Sequence, residues 1–214
     1  MKESTSREKV LKSIRDALVN PMNPPFVAED YADKIYQRPG EEYHEILFAQ
    51  ALAKVSGRFV YNRNENEFAA NLKTFLQSRG KDSIHCYEPG LQKILNEHGL
   101  FCVNALEEFP ECEISLTGCE FLVARTGSIM VSSRQGSGRK GYSWPPLHVV
   151  VAYKSQLVYD IRDALRALQQ KYKKEGLPSM VSLVTGPSRT ADIEKTLVMG
   201  AHGPEELLVF FIDQ

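Results

Sequence analysis

The sequence predicts an α/β domain with a mostly parallel sheet and flanking helices, preceded by an N-terminal helical arm. From residue 57 onward, short β-like runs alternate with amphipathic helical patterns, and such alternation indicates parallel βαβ units. Two almost wholly apolar runs, at 147–153 and 207–212, are typical of strands buried on both faces. We therefore assign residues 1–56 to the arm and 57–214 to the domain.

The arm is predicted to contain two helices. Apolar residues recur at helical spacing over 4–19 and again over 41–55. Ser4 or Ser6 would cap the first helix, because a hydroxyl at this position accepts a hydrogen bond from a free N–H group. The segment 21–40 is rich in proline and polar residues and predicts an extended loop.

The domain elements follow from local pattern and spacing. Two β-like runs, 121–124 and 129–133, stand too close together for a crossover helix and predict a tight strand–turn–strand unit. The remaining predicted strands cover 58–61, 83–86, 101–103, 147–153, 180–185 and 207–212, and the remaining helices cover 65–79, 90–98 and 156–174.

Composition and charge exclude several classes of protein. The chain is 43% hydrophobic and 25% charged, which is ordinary for a globular protein. Lys and Arg number 26 against 27 Asp and Glu, so no overall field recruits nucleic acid or an anionic membrane. No apolar run approaches the roughly 20 residues that span a bilayer, and the charged N-terminus is unlike a signal peptide. We expect a cytoplasmic protein without membrane insertion.

The four cysteines predict neither a metal centre nor a cofactor held by this chain alone. They show no C-x-x-C spacing, which iron–sulfur and zinc sites commonly use. Scattered thiols in a reducing compartment more often fill a core. These residues are Cys86, Cys102, Cys112 and Cys119.

The segment 186–204, GPSRTADIEKTLVMGAHGP, is the main candidate for a functional site. It carries more hydroxyl and ionisable side chains than a turn between two strands needs, and functional residues concentrate on loops held by a sheet. His202 could transfer protons near neutral pH, and we name it with Asp192 as a catalytic candidate. The substrate-binding candidates in this segment are Gly186, Ser188, Arg189, Thr190 and Gly203.

A structural interpretation of the same segment stays open. Ser188 or Thr190 could cap a short helix over 191–197, with Asp192 in its first turn where the helix dipole favours an acid. Such a helix terminus is also a ready anion site, for which Arg189 would supply the charge.

A second candidate site lies around the predicted strand 121–124. Glu120 precedes this strand and could act as a catalytic base or nucleophile. The alternative is that Glu120 and Arg125 form an ion pair that holds the following turn. The substrate-binding candidates here are Arg125, Thr126, Gly127 and Ser128.

A glycine-rich segment, 134–141, fits the G-x-G-x-x-G pattern. In a dinucleotide-binding fingerprint the glycines open a helix that holds the pyrophosphate. Here Pro145 and Pro146 lead instead into a strand, so we do not predict dinucleotide binding. The segment is either a solvated hairpin loop or a mobile basic flap that closes over an anion.

Several of these segments resemble the LUD domain of the lactate utilization protein C (LutC/YkgG) family. The resemblance is carried by GPSRTADIE and GAHGP near the C-terminus, by TGCEFLVARTGSI from Thr117, and by WPPLH from Trp144, and it covers roughly residues 57–214. It implies a fold similar to the NagB/RpiA/CoA-transferase group. It also implies a role in bacterial oxidation of L-lactate to pyruvate, beside partner proteins that carry iron–sulfur motifs. No catalytic residue follows from it.

Three functions remain open on this basis. The first is a component of a lactate-utilization system that binds a small anionic ligand at 186–204, at the loop edge of the sheet where open α/β sheets generally bind ligands. The second is a non-catalytic assembly subunit for an iron–sulfur partner. The third is a transferase or isomerase that acts on a phosphorylated or CoA-linked substrate. Whether the chain is an enzyme is left open.

Overall fold

The computed structural model describes residues 5–19, 43–104, 111–190 and 198–214. The chain divides into two compact units, 1–40 and 41–214. In the first unit, helix α1 covers Ser6–Val19. Thr5 is its N-cap, because Glu8 N donates to Thr5 Oγ1 and Thr5 N donates to Glu8 Oε2 at 2.8 Å. Ser6 therefore lies inside the helix and does not cap it.

The second unit contains the helices and strands of an α/β fold. Its described helices are α2 (His44–Lys54), α3 (Glu65–Ser78), α4 (Pro89–Glu97), α5 (Lys140–Ser143) and α6 (Ile161–Lys171), with a 3₁₀ turn at Lys154–Gln156. Its described strands are β1 (Arg58–Asn62), β2 (Ser83–Cys86), β3 (Phe101–Val103), β4 (Ile114–Thr117), β5 (Phe121–Val123), β6 (Ser128–Ser132), β7 (Leu147–Tyr153), β8 (Leu157–Val158), β9 (Val181–Val184), β10 (Arg189–Thr190), β11 (Val198–Met199) and β12 (Glu206–Ile212).

A six-stranded sheet in the order β1-β12-β7-β4-β2-β3 forms the centre of the unit, and all of its pairings are parallel. The predicted α/β class with a mostly parallel sheet and flanking helices is confirmed. A second sheet has the order β8-β5-β6-β9. Its antiparallel β5–β6 pair is the predicted strand–turn–strand unit, and β10 and β11 form a separate antiparallel pair.

The two faces of the central sheet are covered by different elements. Helices α3 and α4 cover one face, with Phe68 and Leu95 in the core. Helix α2 and the second sheet cover the other face, where Phe48 and Leu52 are fully buried. Helix α2, which the sequence assigns to the arm, thus packs its apolar face on the sheet.

Several elements differ from the pattern-based prediction, among them β4 and α6. Strand β4 was not predicted, since Ser115 and Thr117 interrupt its apolar residues, although all four of its residues are buried. The helix predicted over 156–174 begins only at Ile161, after strand β8. The reason is Asp160, whose side chain accepts a hydrogen bond from Arg162 N and caps α6. No helix within the described residues is both long and apolar enough to cross a membrane.

Candidate functional site

The described parts of the segment 186–204, residues 186–190 and 198–204, lie at the amino-terminal edge of the central sheet. It leads into β12, and the backbone N–H groups of Glu205 and Glu206 both donate to Pro146 O, at 2.8 and 3.0 Å. Pro146 in turn directly precedes β7. Open parallel sheets usually bind ligands at the carboxyl ends of their strands, so the segment lies at the opposite edge from the one that this rule favours.

Ser188 ties the two ends of this segment together. Its N–H donates to Pro204 O at 2.8 Å, and its carbonyl accepts from Gly200 N at 3.0 Å. A Cβ on Gly203 would lie only 3.3 Å from the Cβ of Ser188, so a small residue is favoured there. His202 is exposed in the turn between these contacts.

Arg189 and Thr190 form strand β10, paired with Met199 and Val198. An extended Arg189 cannot begin a helix, so Ser188 is not the helix cap that the structural interpretation allowed. The rest of that interpretation cannot be compared, because Asp192 and the helix predicted over 191–197 lie outside the described residues.

The first part of the segment 186–204 contacts the end of α2. Arg189 Nη2 donates to Ser56 Oγ at 2.6 Å. Gly186 has a φ of 84°, and a Cβ there would lie 2.4 Å from Val55 O. Both the conformation and the close approach therefore require glycine at this position.

The turn between β5 and β6 packs against the same end of α2. Gly127 has a φ of 62°, and a Cβ there would lie 2.4 Å from Leu52 N. Ser128 Oγ lies 2.7 Å from both Thr126 Oγ1 and Thr185 Oγ1. Thr185 immediately precedes Gly186, so this turn and the 186–204 segment meet. We call residues 126–128, 185–190 and 198–204, with the helix end 51–56, the amino-edge cluster.

Arg125 belongs to the same turn but is directed towards α6. Its Nε lies 2.5 Å from Asp160 Oδ2. Burial by itself would raise the pKa of Asp160, but the hydrogen bond from Arg162 N and the Arg125 guanidinium together lower that pKa. This ion pair fixes the start of α6, and it replaces the Glu120–Arg125 pair that the sequence suggested, which is wrong.

Glu120 lies away from the amino-edge cluster. Its side chain is 1% exposed and accepts hydrogen bonds from Ser132 Oγ at 2.5 Å, Lys171 Nζ at 2.7 Å and Tyr172 OH at 2.9 Å. Ser132 and Ser128 stand at opposite ends of β6, about 13 Å apart at strand spacing.

The electrostatics of Glu120 are those of a structural ion pair. Burial alone would raise its pKa, but hydrogen bonds from Lys171, Ser132 and Tyr172 outweigh this and lower it. Three donors on one enclosed carboxylate stabilise its charge and reduce its nucleophilicity. This arrangement favours a role in joining α6 to the second sheet.

The glycine-rich segment 134–141 is not a hairpin loop, because it leads through α5 into β7 of the other sheet. Its side chains donate hydrogen bonds to other parts of the domain. Gln135 Nε2 donates to Gly118 O at 2.7 Å, Ser137 Oγ to Glu88 Oε1 at 3.1 Å, and Arg134 Nη2 to Glu175 O at 2.9 Å.

The sequence did not indicate two hydroxyl residues of the cluster, Ser56 and Thr185. Each is a single hydroxyl at the end of a predicted element, which is too common a pattern to indicate a site. The positive φ of Ser56, 65°, is unusual for a residue other than glycine, but it becomes visible only in the folded chain.

The comparisons with known proteins agree with this architecture. Residues 40–212 match the family model of the LUD domain. The chain belongs to the LUD-domain family. A crystal structure of a DUF162 family protein from Deinococcus radiodurans superposes with a TM-score of 0.58 over 79% of this chain and 96% of that one. Their sequences are 19% identical, so this similarity shows the fold alone.

Relatives of this LUD-domain chain include proteins of two kinds. An uncharacterized protein of Neisseria meningitidis serogroup B is 26% identical over 97% of this chain and 94% of its own length. Lactate utilization protein C of Shouchella clausii is 30% identical over 51% of this chain, and that of Deinococcus radiodurans is 33% identical over 49%. These alignments span about half of each lactate utilization protein, 48% and 49%.

Proposed function

We propose that the protein is a component of a bacterial lactate-utilization system that oxidises L-lactate to pyruvate, and that its amino-edge cluster binds a small anionic ligand of that system. The names of the relatives support the first part at the level of the family. The second part rests on one observation, the position of Arg189 at the junction of α2, β10 and the turn around Ser188.

The cluster has the chemistry to hold an anion. Arg189 is exposed and carries five N–H donors in a planar fork. One of its terminal nitrogens is fixed by Ser56 Oγ, so the guanidinium is oriented while other donors stay accessible. The neighbouring Ser188 hydroxyl offers a further donor to a carboxylate or phosphate.

His202 is the proposed proton-transfer group of this cluster. It is exposed, and the two ring nitrogens of a histidine can accept and donate a proton. Asp192 remains a sequence-based candidate for a second catalytic role. For Glu120 we propose a structural role, since its three hydrogen-bond donors already stabilise the carboxylate.

A second candidate function is assembly with an iron–sulfur partner protein, without a reaction in this chain. The observation that favours it is the exposed apolar surface on the same edge. Trp144 is 59% exposed, and Val198 and Met199 of β11 are 37% and 38% exposed. Exposed aromatic and methionine side chains are common in the centre of protein interfaces. No described contact favours a transferase or isomerase.

Ligand binding tests the first proposal. Isothermal titration with L-lactate, pyruvate and inorganic phosphate is compared between wild type, Arg189→Ala and a control, Arg63→Ala. Arg63 is an exposed arginine that pairs with Glu67 after β1, at the other edge of the sheet. Loss of a charged hydrogen bond costs about 1.5–3 kcal/mol, so Arg189→Ala should weaken binding roughly 10- to 150-fold. Unchanged affinity in a folded Arg189→Ala protein would contradict the proposal.

The assembly function predicts a different pattern in the same proteins. None of the three anions would bind, while a purified iron–sulfur partner would form a complex that sediments as one species. Trp144→Ser should then weaken that complex, because it removes the largest exposed apolar side chain of this edge. A complex unaffected by Trp144→Ser would count against docking here.

A further inference from the structure

The carboxyl-terminal edge of the central sheet has its own crevice, between β2 and β4. The two strands are neighbours, with His85 opposite Ser115. After β2 the chain enters α4, whose Leu91 and Leu95 pack on one face of the sheet. After β4 it enters β5, whose Leu122 packs on the opposite face. Where consecutive connections diverge in this way, open parallel sheets leave a binding crevice.

A cavity of about 300 Å³ occupies this crevice, which lies at the lower end of the range for small-molecule sites. Its lining combines apolar side chains, those of Leu91, Ile94 and Val151, with polar groups, the Glu88 side chain and the backbone of Gly90 and Gly118. A cavity with this mixed lining fits a small molecule that has one polar end and a short apolar tail.

Glu88 presents a carboxyl oxygen to this cavity. Its Oε1 accepts hydrogen bonds from Gly118 N and Ser137 Oγ, both at 3.1 Å, whereas Oε2 has no such bond to any described residue. Oε2 lies 2.9 Å from the place that a Cβ of residue 118 would occupy. Residue 118, which lines the cavity, must therefore be glycine for Oε2 to keep its position.

Burial raises the pKa of the Glu88 carboxyl group above the ordinary value, although the hydrogen bonds from Gly118 and Ser137 act in the opposite direction. A carboxylic acid can donate a hydrogen bond to a ligand oxygen, which a carboxylate cannot do.

Two backbone donors adjoin the same cavity. Glu88 is the N-cap residue of α4, but its side chain makes no capping hydrogen bond, because it is turned towards Gly118. The N–H groups of Gly90 and Leu91, in the first turn, have no acceptor among the described residues. Gly90 and Leu91 both line the cavity, so these N–H groups can donate to a ligand carboxylate.

The glycine-rich segment 134–141 holds this arrangement in place. Ser137 bonds the Glu88 carboxyl group, and Gln135 bonds Gly118 O. A Cβ on Gly136 would lie 2.7 Å from Tyr87 O, so the segment packs directly against the chain that enters α4. Its glycines thus serve close packing around the crevice.

We infer that this crevice is a second binding site, for a short 2-hydroxy or 2-oxo carboxylate, with the ligand carboxylate on the N–H groups of Gly90 and Leu91 and its C2 oxygen on Glu88 Oε2. The short tail of the acid packs against Ile94 and Val151. The choice of acid rests on the proposed lactate role, whereas the location does not. The site lies at the opposite edge of the sheet from the amino-edge cluster, so the two can be tested separately.

Backbone-amide NMR with L-lactate and pyruvate distinguishes the two sites. Binding in the crevice shifts the amide resonances of Gly90, Leu91 and Gly118, whereas binding in the amino-edge cluster shifts those of Gly186 and Gly203. Propionate, which lacks the C2 oxygen, and lactamide, which lacks the carboxylate, serve as matched ligands. Each should bind in the crevice at least tenfold more weakly than L-lactate.

Three variants test the role of Glu88. Glu88→Leu removes both oxygens, Gly118→Ala places a methyl group against Oε2, and Glu88→Gln keeps an acceptor for Gly118 N and an N–H donor in place of the acid. Glu88→Leu and Gly118→Ala should weaken pyruvate binding in the crevice at least tenfold, while Glu88→Gln and Arg189→Ala retain it. The dispersion of each amide spectrum verifies folding, and Glu88→Leu alone decides the result if Gly118→Ala does not fold.

The outcomes separate this inference from the proposed function. Shifts confined to the amino-edge cluster, or equal binding of propionate and L-lactate, would overturn the crevice site and leave the proposed function standing. Shifts confined to the crevice would support the inference and contradict anion binding at Arg189. Absence of shifts at either edge, at tens of millimolar acid, would overturn both ligand sites.

Discussion

Replacing Gly127 with alanine should destabilise the protein because the turn between β5 and β6 packs against the backbone of α2. A Cβ at Gly127 would lie 2.4 Å from Leu52 N and 2.6 Å from the carbonyl carbon of Ala51. These are backbone atoms, and Leu52 itself is fully buried. Neither atom can swing aside as a flexible side chain would, so the helix end must shift.

Two costs add for Gly127→Ala. Its φ of 62° lies in the left-handed region, where a side chain costs about 1–2 kcal/mol. Overpacking against a well-ordered core adds about 1–3 kcal/mol. The expected loss in free energy of unfolding is therefore about 2–5 kcal/mol, measured by urea denaturation followed by circular dichroism.

Gly138 supplies the matched control. Its φ is 56°, and no heavy atom lies within 4 Å of the place that its Cβ would occupy. Gly138→Ala therefore carries the conformational cost alone, about 1–2 kcal/mol. If Gly127→Ala and Gly138→Ala lose equal free energy of unfolding, the turn does not pack closely on α2. The argument that one helix end holds both the turn and Arg189 would then also be refuted.

Two further predictions concern ionisable groups in the core. Because the pKa of Glu120 is lowered in the folded protein, its charge stabilises the fold above the unfolded pKa of about 4.3, and this contribution is lost as the pH falls through the folded pKa. Urea denaturation between pH 3 and 7 should show that the free energy of unfolding falls less towards acid pH in Glu120→Gln than in wild type. Parallel plots of this free energy against pH for the two proteins would contradict a lowered pKa of Glu120. Among the thiols, the half-buried Cys102 should react first with a disulfide reagent in the native protein, and Cys102→Ser should remove that phase. Burial raises the pKa of all four thiols, but Cys86, Cys112 and Cys119 are only 0%, 3% and 6% exposed. A native rate unchanged by Cys102→Ser would contradict the protection of these three.

Local pattern was enough to predict much of the element order. The strands at 83–86, 101–103 and 147–153 have the predicted bounds, because alternation of side chains and flanking turn residues act within a few neighbours along the chain. Residue type along the chain also identified the polar segment 186–204. The family resemblance identified WPPLH and GAHGP, and Pro146 of the first accepts hydrogen bonds from the residues that follow the second.

Contacts between distant residues could not be predicted in this way. Glu120 and Arg125 are close in sequence, yet each pairs with a residue of the α6 region, Lys171 and Asp160. An ion pair forms with whichever opposite charge the packing brings near, and a chain with 26 basic and 27 acidic residues offers many choices. The crevice at Glu88 was missed for the same reason.

From the sequence alone came the α/β class, most elements and the polar segment 186–204, since these depend on periodicity and residue type over short stretches. Only the tertiary structure decided that α2 joins the core, that 186–204 lies at the amino-terminal edge, and that Ser56, Gly127 and Arg189 share one helix end. The direction in which each strand enters the parallel sheet sets the edge at which a loop lies. That direction follows from strand pairing between residues far apart in the chain, which no local pattern encodes.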